Sequence, residues 1–308
     1  MKREVRGSTH DGQRLVGRPF DWLGRWPLRF EAETLHLDRA RFDLALLDAA
    51  LGAGVRLVRD AVAKVISNGD EVITGLQTRA GRTIEANFYI DASGRARLFA
   101  RTLDIPRETY SAPRVAVWAY TDRGVGFAGT RIHLLDEHRL EWAWEIPVST
   151  NRSSVGVVLD RQSFRQAIRS ADLTDILTER LSGFSSCTHL KDAAWSKARA
   201  RGFQGFVSSR IVGPNWLMAG EAACFVDPLT SIGVSSALRH GVEAASALDA
   251  SSLGRGTGRR KLDSYNRRSI QLARVFNDGV ERLMYDGEVR NAFGMRWATR
   301  AYVTMGYT

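Results

Sequence analysis

The residues best placed for chemistry lie in the run Trp216-Leu-Met-Ala-Gly-Glu-Ala-Ala-Cys-Phe-Val-Asp-Pro-Leu-Thr-Ser-Ile-Gly-Val234. An acidic residue after a short apolar strand can take a ribose hydroxyl, as in dinucleotide-binding folds. Glu221 stands there, behind Gly220. The small residues Gly220, Ala222 and Ala223 admit a flat ligand or a second backbone. From Asp227 and Pro228, through Ser231, Ile232 and Gly233 to Val234, the chain reads as a loop opening a helix. A helix N-terminus presents N–H groups and partial positive charge to whatever precedes it. An ordinary strand–turn–helix connection has the same pattern.

Other candidates are scattered. Tyr89-Ile-Asp-Ala-Ser-Gly94 reads as a strand ending in a small turn, where Asp91 can take a ligand or simply accept turn N–H bonds. Ser93 and Gly94 leave room beside it. Arg39 can reach a ligand, cap the sheet, or pair with Asp38 or Asp43. Trp142 and Trp144 share one side of a strand, with Ile146 following and Pro147 closing it, and Glu145 is expected on the opposite, surface side. Paired core aromatics would look the same. The six histidines do not fall at metal-ligand spacing, and Cys187 and Cys224 form neither a disulfide framework nor a metal set. No metal site, nucleophile elbow or Walker loop is expected.

The elements that must position these residues follow from periodicity. Residues 1–34 read as irregular. Arg39–Gly52 reads as a helix, and 55–58, 61–67, 72–78 and 83–90 as strands, with a hairpin turn at Asn68-Gly69. A short helix follows at 97–103. Residues 111–121, 129–135, 139–147 and 153–159 alternate as one antiparallel sheet, followed by helices at 163–170 and 174–184. A strand at 203–211 returns to the 216–248 motif. Arg255, Arg259, Arg260 and Lys261 fall in a Gly-rich loop, and helix is expected from Leu262 to about Met284 and beyond. The expected division is 1–110, 111–202, 203–250 and a helical 251–308.

Several of these segments together resemble the flavin-dependent monooxygenases and halogenases. Gly220-Glu-Ala-Ala223, with Asp227-Pro228, resembles their second FAD-binding motif. The 36–58 and 89–94 segments resemble their strand–helix unit and the turn beside the adenosine half of FAD. Trp142-Ala-Trp-Glu-Ile-Pro147 fits Trp-x-Trp-x-Ile-Pro, and Phe225, Pro228, Ser231 and Gly233 fit Phe-x-x-Pro-x-x-Ser-x-Gly, both similar to halogenases. The resemblance spans roughly 35–290. It implies an α/β, hydroxybenzoate-hydroxylase-type FAD-binding fold with an antiparallel substrate sheet and C-terminal helices. It implies that FAD lies against Arg39, Asp91, Ser93, Gly94, Gly220, Glu221 and the Asp227, Pro228, Ser231, Ile232, Gly233, Val234 segment. Trp142, Trp144, Ile146 and Pro147 would line the passage between flavin and substrate. The implied reaction uses reduced flavin and O2 on an electron-rich aromatic, an indole or phenol, small or bound to a peptide or carrier.

The chain departs from the family at several points. The opening Gly-x-Gly-x-x-Gly turn is absent, so the N-terminal βαβ unit is incomplete. Lys2 is the only lysine before Lys64 and does not match the halogenase lysine. Ile232 replaces a small polar residue, and Glu221 replaces the commoner Asp. Non-catalytic service as an interaction module and flavin-dependent alkene reduction are the alternatives. No Asp-Gly pair follows Asp91, so a separate flavin reductase is expected rather than bound NADPH. The formal charge of +10 comes almost entirely from dispersed arginines, which points away from nucleic acid. An 18-residue apolar run and a signal peptide are both missing, so no membrane span and a cytoplasmic location are expected.

Overall fold

The computed structural model describes residues 8–9, 12–18, 32–123, 130–136, 141–182, 185–249, 255–285 and 303–307. In chain order the strands are β1 (Ser8–Thr9), β2 (Gly12–Arg18) and β3 (Ala32–Leu35). Helix α1 (Arg39–Gly52) precedes β4 (Val62–Ser67), β5 (Ile73–Thr78), β6 (Thr83–Ile84) and β7 (Tyr89–Asp91). Then come α2 (Leu98–Thr102), β8 (Arg107–Thr121), β9 (Thr130–Asp136), β10 (Glu141–Ser149) and β11 (Arg152–Asp160). Helices α3 (Arg161–Ala167) and α4 (Leu173–Ser182) lead to β12 (Arg199–Ser208), β13 (Trp216–Met218) and β14 (Cys224–Phe225). The chain continues through α5 (Gly233–Asp249), α6 (Arg255–Val280) and β15 (Val303–Tyr307).

The chain divides into two compact units. One holds Met1–Leu57, Pro113–Phe203 and Arg296–Thr308; the other holds Val58–Ala112 and Gln204–Met295. In the first unit, β9, β10, β11 and β8 pair antiparallel in that order. Alternation puts Val115, Val117, Ala143, Val155, Val157 and Leu159 on one face, where they pack with Ile176, Leu177 and Leu181 of α4. β15 pairs with β9 and β2, and β1 and β3 pair with β2. The early chain is therefore not irregular throughout, because backbone pairing gathers short segments that have no periodic pattern. The tail at 303–307 is likewise strand, not helix. The further helix expected at 286–302 lies outside the described residues. Asp38 caps α1 by accepting from the N–H groups of Ala40 and Arg41.

In the second unit, β7 and β13 run parallel, and β4, β5 and β6 form an antiparallel meander. The Asn68 carboxamide oxygen accepts from Asp70 and Val72 N–H and closes the expected turn. Residues 55–58 form no strand. Val55, Leu57 and Val58 are more than two-fifths exposed, and no ladder partner appears for them among the described residues. α6 begins at Arg255, so the basic Gly-rich stretch is helix rather than loop. Its buried residues Leu262, Tyr265, Ser269, Ala273, Asn277 and Val280 recur at three- and four-residue spacing. That packing and the Arg259–Asp263 pair (3.1 Å) outweigh a cost of about 1 kcal/mol for each of Gly256 and Gly258.

α5 buries His240, Ala244 and Ala247 on one stripe. Burial first, and the Arg239 cation second, hold the His240 imidazole down at about 4, against an ordinary 6.5. The folded chain thus binds fewer protons at this site than the unfolded chain between those values. Stability is unaffected above pH 6.5 and falls as pH drops toward 4, by roughly 3 kcal/mol in all. Urea midpoints measured from pH 7 to pH 4 should therefore fall less in His240→Gln than in the parent. Parallel curves would contradict this.

Candidate functional site

Two turns meet where β7 and β13 end. Met218 is paired with Asp91, and the Ala219 N–H donates to the Asp91 carbonyl at 2.9 Å. Asp91 is 3% exposed. Its carboxylate accepts from the Ser93 N–H (2.8 Å) and the Phe99 N–H (2.9 Å), so both oxygens hold the turn together. The Ser93 hydroxyl accepts from the Leu98 N–H. Gly94 has φ +62 and open space where a side chain would project, a conformation that favours glycine. Arg95 reaches from this turn toward Glu221 (3.7 Å) and lies over the Phe225 ring. Ser93-Gly94 and Gly220-Glu221 are thereby brought side by side.

Gly220 also has positive φ, +59, and Ala237 lies 3.5 Å from where its Cβ would be. Its N–H donates to His240 Nδ1 at 3.0 Å. The Glu221 side chain is 46% exposed and lines an open cleft. Ile232 and Gly233 line the same cleft, so the two halves of the 216–234 motif share one wall. Asp227 is buried. It accepts from the Leu229 N–H and the Tyr285 hydroxyl, and Pro228 opens a single 3-10 turn after it. Ser231 ends that turn at φ +53, exposed, and Val234 is half-buried in the first turn of α5. The small-residue turns, the exposed Glu221 carboxylate and the Phe225 ring suit a flat cofactor carrying hydroxyls. A Gly-x-Gly-x-x-Gly turn for its phosphates is missing from the sequence.

The remaining candidates belong to the first unit. Arg39 is exposed at the start of α1 and holds Asp43 through two hydrogen bonds of 2.9 and 3.0 Å. Trp142 is buried, and its ring lies 5.8 Å from that of Trp144. The Trp144 indole N–H donates to the Ser154 hydroxyl, and its ring covers Gly156, where a Cβ would lie 2.3 Å from it. Ile146 is half-buried opposite Ser154. Pro147 does not close the strand. β10 continues to Ser149 through a register shift, since the missing N–H is absorbed at an irregularity.

Glu145 is not on the surface. It is fully buried, and its carboxylate meets His189 Nε2 at 2.9 Å and Cys187 Sγ at 3.7 Å. Glu141 is also fully buried on that face, 3.4 Å from Arg180, and burial pushes its carboxyl up. The helical layer over this face supplies the partners, which strand alternation alone does not reveal. Neither His189 nor His240 stands out in the sequence by metal spacing. For His240, the signal available was its place on the Ala244 and Ala247 stripe. Among the described residues no group of three or more His, Cys, Asp or Glu is placed to hold a metal, and no helix is long and apolar enough to cross a membrane.

Residues 27–290 match the family model described as tryptophan halogenase. The chain is 27% identical over 259 residues to a tryptophan 2-halogenase of Chondromyces crocatus, covering 78% of this chain and 49% of the relative. It is 28% identical over 224 residues to a 1H-pyrrole-2-carbonyl-(peptidyl-carrier protein) chlorinase of Pseudomonas fluorescens, covering 67% and 48%. The chain spans about half the length of the curated relatives it matches. The structure of CmlS, a flavin-dependent halogenase, superposes with a TM-score of 0.71 at 26% identity, over 81% of this chain and 46% of that one. That of pqsL, a probable FAD-dependent monooxygenase from Pseudomonas aeruginosa, gives 0.70 at 18% identity over 92% and 82%, a likeness of fold. Matched over most of its length, the chain belongs to the tryptophan halogenase family.

Proposed function

We propose that this chain binds FAD and works as part of a flavin-dependent halogenase or monooxygenase acting on an electron-rich aromatic. The observation that carries this is the approach of Ser93-Gly94 to Gly220-Glu221 beside an open cleft. Bound FAD supplies the redox chemistry with O2 once reduced. The residues here bind and orient it. Glu221 offers an acceptor to a cofactor hydroxyl, Gly94 and Gly220 allow close approach, and Phe225 and Ile232 present apolar surface. Ser231, Gly233 and Val234 complete the proposed contact. Asp91, Asp227 and Pro228 serve it by fixing the two turns.

We place the aromatic substrate against the sheet face carrying Trp142, Trp144 and Ile146; Pro147 has the parity of Glu145 and falls on the other face. Named relatives act on tryptophan and on a carrier-bound pyrrole, which supports an indole or pyrrole class, free or carrier-bound. Reduced flavin would come from a separate reductase, since no nicotinamide motif is recognisable. Cys187 and Cys224 form no disulfide, which suits a reducing cytoplasm.

FAD titration of the full chain, followed by flavin fluorescence, should show saturable binding. Glu221→Ala should weaken it about 10-fold or more, the loss of one hydrogen bond to a charged group. Equal affinity would remove Glu221 from the site, and no binding at all would favour the interaction-module reading. With a reductase, O2, bromide and an indole panel, a halogenated product separates halogenation from hydroxylation. NADPH alone should leave the bound flavin oxidised.

Gly156→Ala tests the tryptophan face. Its new methyl displaces the Trp144 ring, at a cost of roughly 1–3 kcal/mol. Tryptophan emission should shift and aromatic turnover should fall. Adding Trp144→Phe should restore stability but not turnover. Unchanged emission and turnover in Gly156→Ala would exclude this placement.

A further inference from the structure

Three hydrogen-bond donors in the 220–276 cleft lack an adequate acceptor. The Gly220 N–H donates to His240 Nδ1, so Nδ1 carries the lone pair. The imidazole is neutral at ordinary pH, because burial holds it low, so its proton sits on Nε2. Arg239 Nη2 lies 3.3 Å from that Nε2. A guanidinium has only donors. Two N–H groups therefore face each other with no acceptor between them.

The third donor is the Ser269 hydroxyl, 1% exposed and without a hydrogen-bond partner among the described residues. An orphaned buried hydroxyl costs about 1–3 kcal/mol. Arg239, His240 and Ser269 all line the cleft, and α5, 17 residues long, opens on its rim at Gly233. The helix N-terminus adds partial positive charge. Two carboxylates lie near. Glu243 lies 3.4 Å from Arg239 Nη1, on the other arm of the fork, and Glu221 faces Arg95 at 3.7 Å. Phe225, Leu272 and Phe276 supply apolar wall.

We propose that this cleft binds an organic monocarboxylate with an aromatic or apolar body, its oxygens taking the Arg239 and His240 N–H groups and the Ser269 hydroxyl. A planar carboxylate has two oxygens and can serve donors that diverge, which a halide cannot do while also filling the apolar wall. A dianionic phosphate would face both Glu221 and Glu243. Open clefts with an apolar wall and a few convergent polar groups are ordinary small-molecule sites. Phe225 and the 220–221 turn also serve the proposed flavin contact, so the two ligands would compete for this wall. Arg239, His240 and Ser269 are donors the flavin reading does not use.

Benzoate is the probe, titrated by calorimetry and saturation-transfer NMR into the full chain with no flavin present. Saturable binding is expected, weakened at least ten-fold in Arg239→Met and several-fold in Ser269→Ala. The serine variant only removes an unpartnered hydroxyl, so it is expected to fold, and circular dichroism melts check both variants. Benzyl alcohol should not bind measurably, and equimolar chloride or phosphate should not displace benzoate. Absence of saturable binding, equal binding by both variants, equal binding of benzyl alcohol, or displacement by the inorganic anions would each overturn the proposal. Because flavin is absent throughout, such a result leaves the cofactor reading untouched, and failure of FAD to bind leaves this one untouched.

Discussion

The parallel pairing of β7 with β13 is the constraint on which the candidate site depends. A parallel pair needs a long crossover, so the two strands come from distant parts of the chain. Their shared register aligns Asp91 with Met218 and delivers two tight turns to the same end. Asp91 then holds its turn from inside, through N–H groups of Ser93 and Phe99. With both oxygens engaged, it is a strut for the site more than a ligand. The second turn is fixed differently, by His240 accepting from Gly220. Loss of either support would separate Gly94 from Glu221 without touching a ligand.

Carboxylates divide into two kinds in this chain, and burial separates them. Asp91, Asp227, Glu141 and Glu145 are buried with named partners. Glu221 is half exposed and lies 3.7 Å from Arg95. A buried charge must be paired to be tolerated, whereas an exposed, loosely held one can change partners at little cost. That contrast supports Glu221, in the function proposed above, as a carboxylate available to a ligand.

Local pattern accounted for what the sequence disclosed. α1 runs over Arg39–Gly52 as its periodicity predicts, and the 111–159 strands pair as their alternation implies. The partnership of the 89–94 and 220–223 turns was legible only through resemblance, because no local rule links segments so far apart. Helix α6 was misplaced at its start because Gly256 and Gly258 argue for a loop, while the tertiary packing that overrides them is invisible in a window of sequence. Glu145 was misread for a related reason. Alternation told its face correctly, opposite Trp144, but not that helices cover that face too.

Covering both faces of β10 has a physical consequence. One face carries Trp142 and Trp144 over Gly156, and the other carries Glu141 and Glu145 against Arg180 and His189. The acidic groups sit where the helical layer can supply partners, and the Trp144 indole sits where only a glycine leaves room. Gly156 thus sets the depth at which Trp144 rests, and its hydrogen bond to Ser154 sets the ring's rotation. Trp142 is 3% exposed and Trp144 half-buried, so close packing fixes both indoles as firmly as the hydrogen bond fixes one of them.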